Sequence, residues 1–259
     1  MNYALPGLIE GMLKGSVYCL SRLVTLVENN APEIDTIMKK IAPYARGTRT
    51  VGVTGATGVG KSSLINRLIS AARAKGLSVG ILAVDPSSRH HGGALLGDRI
   101  RMAQHSLDPE VYIRSVATRG SYGGITPCAY GIVKLFDAFG KDMIIVETIG
   151  VGQADCAIAD LADIIVLVVS PESGDTIQFM KAGSIEIADM IAVNKTDLGG
   201  ADAMIAALRQ ILTLRSPNEK GNIPVLPVQA INDNGVESLF EELQRRMADA
   251  TGRSPTVRS

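Results

Sequence analysis

With 259 residues, the chain has room for one large α/β unit and an appendage, because single cores stop growing near ~250–300 residues. Lys plus Arg and Asp plus Glu balance at 26 each, so no charge excess argues for a nucleic-acid or acidic-membrane partner. Aromatic residues make up 4% with no Trp, which leaves little to stack against single-stranded bases. The apolar runs fall short of the roughly 20 residues that span a bilayer. The opening MNYALPGLIEGML lacks the basic region and small-residue cleavage site of a secretory signal. Cys19, Cys128 and Cys156 lie far apart without a C-x-x-C partner, as expected of reduced thiols in a cytoplasmic protein.

Residues 8–28 carry Ile9, Met12, Leu13, Val17, Leu20, Leu23, Val24 and Val27 at helical spacing, followed by Ile34, Ile37, Met38 and Ile41. This pattern predicts a two-helix N-terminal extension within residues 1–46, packed on a nucleotide domain at 47–250, with a polar, disordered tail at 251–259. From Thr50 onward strands alternate with helices, which predicts an α/β fold with a mostly parallel sheet covered on both faces. The expected strands lie around Val51 and Val53 and over 78–84, 111–116, 143–146, 164–169, 190–193 and 225–228. Their β-branched runs suit strands buried on both sides. In open sheets of this kind the ligand binds beyond the carboxyl ends of the strands, where Asp85, Glu147 and Asn194 fall.

The first strand runs directly into VGVTGATGVGKSS, residues 51–63. Gly55, Gly60, Lys61 and Ser62 fit G-x-x-x-x-G-K-[ST], a phosphate-binding loop between strand and helix. Glycines such as Gly55, Gly58 and Gly60 let backbone N–H groups, those of Val59 and Ser63 included, curl around an anion at a helix N-terminus. Lys61 is expected at the β- and γ-phosphates, and the Ser62 hydroxyl at Mg²⁺. Downstream, Asn194-Lys195-Thr196-Asp197 fits N-K-x-D. The Asp197 carboxylate can accept from both N1–H and the 2-amine of guanine, donors that adenine lacks at those positions. Leaving that acid unpaired costs on the order of 1–3 kcal/mol. Gln229, Ala230 and Ile231 fall where such proteins place a short loop over the base, with Gln in place of the usual Ser. Glu147-Thr148-Ile149-Gly150 occupies the position of an acidic-x-x-Gly element at the metal and γ-phosphate. Val151 follows the glycine, so a water-orienting Gln is absent from its usual place, and Gln153 stands two residues further on. His90 and His91 are adjacent and therefore diverge, with no third metal ligand in evidence.

ETIGVGQAD (147–155), DPSS (85–88), GDRIRM (97–102) and DTIQFMKAGSIEIADMIAVNKTD (175–197) resemble the MeaB/ArgK/MMAA family of G proteins, chaperones of adenosylcobalamin-dependent acyl-CoA mutases. The resemblance covers about residues 8–245. It implies a P-loop fold of the signal-recognition-particle and nitrogenase-iron-protein class. It also implies Mg²⁺-dependent GTP hydrolysis, slow in the isolated protein and coupled to loading, protection or repair of a B12 enzyme, with no direct cobalamin binding. Carried over by motif, Asp85 and Asp98 join Ser62 and Glu147 around the metal, and Lys61, Asp98 and Glu147 serve the chemistry. Asp175, Gln178 and Lys181 fall in the segment that the family uses as a switch facing the mutase. Asp98 as a helix-surface acid and Lys181 as a solvated charge remain alternative readings. The family's C-terminal dimerisation arm has no counterpart after the helix around 236–247, so a homodimer by that route is not expected. Competing readings are a nickel-insertion GTPase, which needs Cys/His ligands at a dimer interface, a kinase, and a GTP-binding scaffold without hydrolysis.

Overall fold

The computed structural model describes residues 4–85, 103–117, 125–148, 157–173, 184–214 and 223–249. Its centre is a sheet of seven strands: β1 (Thr50–Thr54), β2 (Val79–Asp85), β3 (Val111–Ala117), β4 (Met143–Glu147), β5 (Ile164–Val169), β6 (Met190–Val193) and β7 (Val225–Pro227). The spatial order is β3-β2-β4-β1-β5-β6-β7, and every pairing is parallel. Parallel neighbours require crossovers, so helices cover both faces, and β1, β4, β5 and β6 are buried along their whole length.

Alternate side chains divide the core between the two faces. Val51, Val53, Ile81, Ile145, Val166 and Val168 face α4 (Lys61–Ala74) and α9 (Val236–Asp249). On the opposite face, Leu82, Val84, Ile144 and Val146 meet α5 (Cys128–Phe139) and the N-terminal helices. Leu167, Val169, Ile191 and Val193 meet α8 (Ala201–Thr213) further along that face. Short helices α6 (Ile158–Leu161) and α7 (Ser184–Ile187) lead into β5 and β6.

The N-terminal region forms three helices rather than the expected two: α1 (Leu5–Leu13), α2 (Val17–Glu28) and α3 (Ile34–Ile41). The chain breaks at Gly15, whose φ of +88° no ordinary helical residue adopts. Ser16 then caps α2, its Oγ accepting from the Cys19 N–H at 3.3 Å. Met12, Leu20, Leu23, Val24, Val27, Ile37 and Ile41 share one apolar cluster with Ile132, Leu135 and Phe136 of α5. Val17, placed at the start of α2, is 44% exposed instead of packed. A polar seam joins α2 to edge strand β3: Arg114 pairs with Glu28 and donates to Thr25, and the Ser21 and Tyr112 hydroxyls meet at 3.1 Å.

At the amino end of the sheet, the Lys141 ammonium donates to the Glu110 carbonyl at 2.9 Å and lies 5.4 Å from the Phe139 ring centroid. Burial pulls its pKa below the ordinary lysine range. The other sheet edge, β7, carries Pro227, which has no N–H to offer a further strand. No helix among the described residues is long and apolar enough to cross a membrane.

Candidate functional site

At the carboxyl ends of β1 and β4, residues 55–60 make the turn into α4. Gly55, Gly58 and Gly60 all hold positive φ, at +139°, +84° and +95°. A Cβ on Gly55 would strike the Val168 carbonyl oxygen of β5, and one on Gly60 would strike the Asn194 amide. Gly58 faces open space, so its glycine answers to backbone conformation alone. Val59 is buried. Lys61 opens α4 and turns back over the loop, its ammonium donating to the Gly55 and Ala56 carbonyls at 2.8 and 3.1 Å. The loop therefore closes on itself as a compact ring at a helix N-terminus, where backbone dipoles favour anions.

The next residue, Ser62, donates through Oγ to Glu147 Oε1 at 2.8 Å, and both side chains are buried. Two strands bring them together: Glu147 ends β4, in register with Val53 of β1. Behind it, the Thr148 hydroxyl donates to the Thr54 hydroxyl at 2.9 Å, and the Thr148 N–H to the Val53 carbonyl at 3.1 Å. A buried hydroxyl beside a buried carboxylate is a hard-oxygen donor pair, which suits Mg²⁺. The backbone of Asp85 closes β2, paired through Ala83 with Glu147. Ser63 is exposed in the first turn of α4.

The N-K-x-D residues follow β6. Asn194 is buried and works in both directions, donating to the Val59 carbonyl at 2.9 Å and accepting from the Ala230 N–H at 3.0 Å. Lys195 sits at φ +58° and pairs with Glu172 at 2.6 Å. Thr196 Oγ1 donates to the Val228 carbonyl at 3.2 Å, and the turn leaves Asp197 exposed. After β7, Gln229 exchanges backbone hydrogen bonds with Asn234, and Ala230–Asn232 forms a 3₁₀ turn. The structure thus brings the phosphate-loop, acidic and N-K-x-D residues to one end of the sheet. Asp98, Gln153, Asp175, Gln178 and Lys181 lie outside the described residues, as do His90, His91 and Cys156. Three participants were not evident in the sequence: Arg67 of α4, whose guanidinium donates to the Ala230 and Ile231 carbonyls; Glu172; and the Thr54–Thr148 pair.

The family described as "Methylmalonyl Co-A mutase-associated GTPase MeaB" matches residues 20–259. The chain belongs to this family. A Pyrococcus abyssi protein named as a GTPase is 46% identical over 251 residues, covering 95% of this chain and 78% of that protein. The mouse protein "Methylmalonic aciduria type A homolog, mitochondrial" is 32% identical over 255 residues, covering 92% of this chain and 61% of the mouse protein. Among solved structures, "LAO/AO transport system kinase" superposes with a TM-score of 0.75 at 25% identity, covering 97% of this chain and 78% of that one. The hydrogenase maturation factor HypB of Archaeoglobus fulgidus has a TM-score of 0.56 at 21% identity over 88% of this chain and 98% of that one, a likeness of fold alone. The MeaB-family chain is therefore a P-loop GTPase, and a guanine nucleotide is its substrate.

Proposed function

We propose that this MeaB-family GTPase couples Mg²⁺-dependent GTP hydrolysis to the loading or protection of an adenosylcobalamin-dependent acyl-CoA mutase. The observation that carries this reading is the family match across residues 20–259, whose description names a mutase-associated GTPase. Lys61 leaves its loop carbonyls to meet the β- and γ-phosphates, where its charge offsets the charge that develops during transfer. Ser62 and Glu147, joined by Asp85 and Asp98, would hold the metal, which neutralises phosphate oxygens when bound. Asn194, Lys195 and Asp197 frame the base, and Gln229, Ala230 and Ile231 cover it. Cobalamin stays with the mutase and is not bound by this chain.

Turnover of the isolated protein is slow, because Val151 stands where many GTPases carry the water-orienting Gln. The mutase completes the site through Asp175, Gln178 and Lys181, and gives less than the ~10³–10⁵-fold that arginine-donating partners supply elsewhere. Steady-state GTP hydrolysis with and without an adenosylcobalamin-dependent acyl-CoA mutase tests this. The expected result is stimulation that Gln178→Ala and Lys181→Ala each reduce, with intrinsic turnover nearly unchanged. Absence of stimulation by any such mutase overturns the chaperone reading, and undiminished stimulation of both variants removes the role of that segment.

A further inference from the structure

Arg67 lies in the second turn of α4, six residues beyond Lys61. Its side chain crosses to the loop after β7. There Nε donates to the Ala230 carbonyl and Nη2 to the Ile231 carbonyl, each at 2.8 Å. The loop is gripped from the opposite side as well. The Ala230 N–H donates to Asn194 Oδ1, and Asn194 Nδ2 donates to the Val59 carbonyl of the phosphate loop. These bonds close a ring from α4 to Ala230, to Asn194, to Val59 and back to α4 through Gly60. The phosphate end and the base end of the site are thereby tied by side chains as well as by the sheet.

We infer that Arg67 is a positioning residue for guanine recognition: it fixes the 229–231 loop over the purine and so sets guanine affinity and selectivity. The inference rests on the GTPase reading of this site. Ala230–Asn232 is a single 3₁₀ turn, too short to hold its own shape. It leaves through left-handed residues at Asp233, φ +62°, and Gly235, φ +72°. The Ile231 side chain is 73% exposed and adds no packing that would hold the turn. Two successive carbonyls taken by two nitrogens of one planar guanidinium define both height and tilt of that backbone. A lysine, a single rotatable point donor, serves one carbonyl at a time and fixes less. Ile231 is exposed, so water can satisfy its released carbonyl, and the buried Ala230 stays anchored through its N–H bond to Asn194. Losing the side chain therefore shifts the loop more than it unfolds the protein.

The test compares the parent with Arg67→Ala and Arg67→Lys in GTP hydrolysis, in GDP and ADP binding, and in inhibition by inorganic tripolyphosphate, which has no base. Hydrogen bonds from a charged donor predict that Arg67→Ala raises KM for GTP by about tenfold or more with kcat within about twofold. The GDP-over-ADP preference falls to a similar degree, tripolyphosphate inhibition is unchanged, and Arg67→Lys lies between the two. An unchanged KM and purine preference overturns the inference. So does an equal loss for GTP and tripolyphosphate, which marks a strut that holds the whole fold. Asp197→Asn, assayed with xanthosine triphosphate, separates the levels. If that variant gains no preference for xanthine, the base site itself is misplaced and both readings fall. If it does gain the preference while Arg67→Ala behaves as the parent, only the role of Arg67 falls.

Discussion

The hydroxyl pair behind Glu147 offers a sharp test of how the site is held. Thr54 and Thr148 are essentially inaccessible, and their oxygens lie 2.9 Å apart where β1 and β4 end. Thr54→Val keeps the shape but leaves the Thr148 hydroxyl without its acceptor, and Thr148→Val leaves Thr54 without its donor. A buried polar group stripped of its partner costs about 1–3 kcal/mol, whereas replacing both partners with apolar groups of the same shape is nearly neutral. Each single variant should therefore lose about 1–3 kcal/mol, and the double variant less than either. With the double variant near neutral, the pair's coupling energy approaches the sum of the two single losses, about 2–6 kcal/mol, well outside the scatter of independent sites. At roughly 2–4 °C per kcal/mol for a chain of this size, the singles melt several degrees below the parent. Urea unfolding of the four proteins without nucleotide measures the cycle. Simple additivity of the two single losses, or singles as stable as the parent, would refute the reasoning.

Three further outcomes follow from the site and its supports. Asp197→Asn should move nucleotide preference from guanine toward xanthine, read by competition binding, and equal affinity of the parent for ATP and GTP would contradict the base site. Glu147→Gln keeps a hydrogen-bond partner for Ser62 but removes the charge, so the Mg²⁺ concentration for half-maximal turnover should rise about tenfold or more; an unchanged Mg²⁺ requirement would move the metal elsewhere. Glu242, held by Arg245 and Arg246 at 2.7 Å, has its pKa lowered from 4.5 to about 2, chiefly by the Arg245 hydrogen bond; burial opposes this, and the Arg246 hydrogen bond adds to the lowering. A depressed carboxylate stabilises the fold above the unfolded pKa and loses that contribution between pH 4.5 and about 2. Solvent around Arg245 reduces it to about 1 kcal/mol. Glu242→Gln should thus melt a few degrees lower at pH 7, with the gap narrowing as the pH falls below 4.5; a constant gap down to pH 3 would exclude the linkage.

The sheet was legible because its strands are short β-branched runs buried on both faces, a signal that survives without knowledge of the partners. Ile164–Val169 and Met190–Val193 match expectation residue for residue, and Val225–Pro227 stops one residue early. The phosphate loop and N-K-x-D were legible because backbone turns and ligand chemistry fix both residue type and spacing locally. The break at Gly15 was not, since the apolar positions before and after it continue at helical spacing and only backbone conformation marks the stop. Arg67 carried no signal either: it bonds to backbone carbonyls 163 and 164 residues away, and a carbonyl has no residue type to read.

The way α1–α3 pack on α5 governs where this protein can be cut. A gene fragment opening at Gly47 would retain the whole sheet and the nucleotide loops. It would also strip α1–α3 from α5 and leave the side of that helix that packs against Val27 and Met38 bare to water. Contiguous apolar ground of that extent recruits other molecules or collapses upon itself. The first forty-odd residues are therefore as much a layer of the enzyme as any crossover helix, and a soluble minimal GTPase from this chain has to include them.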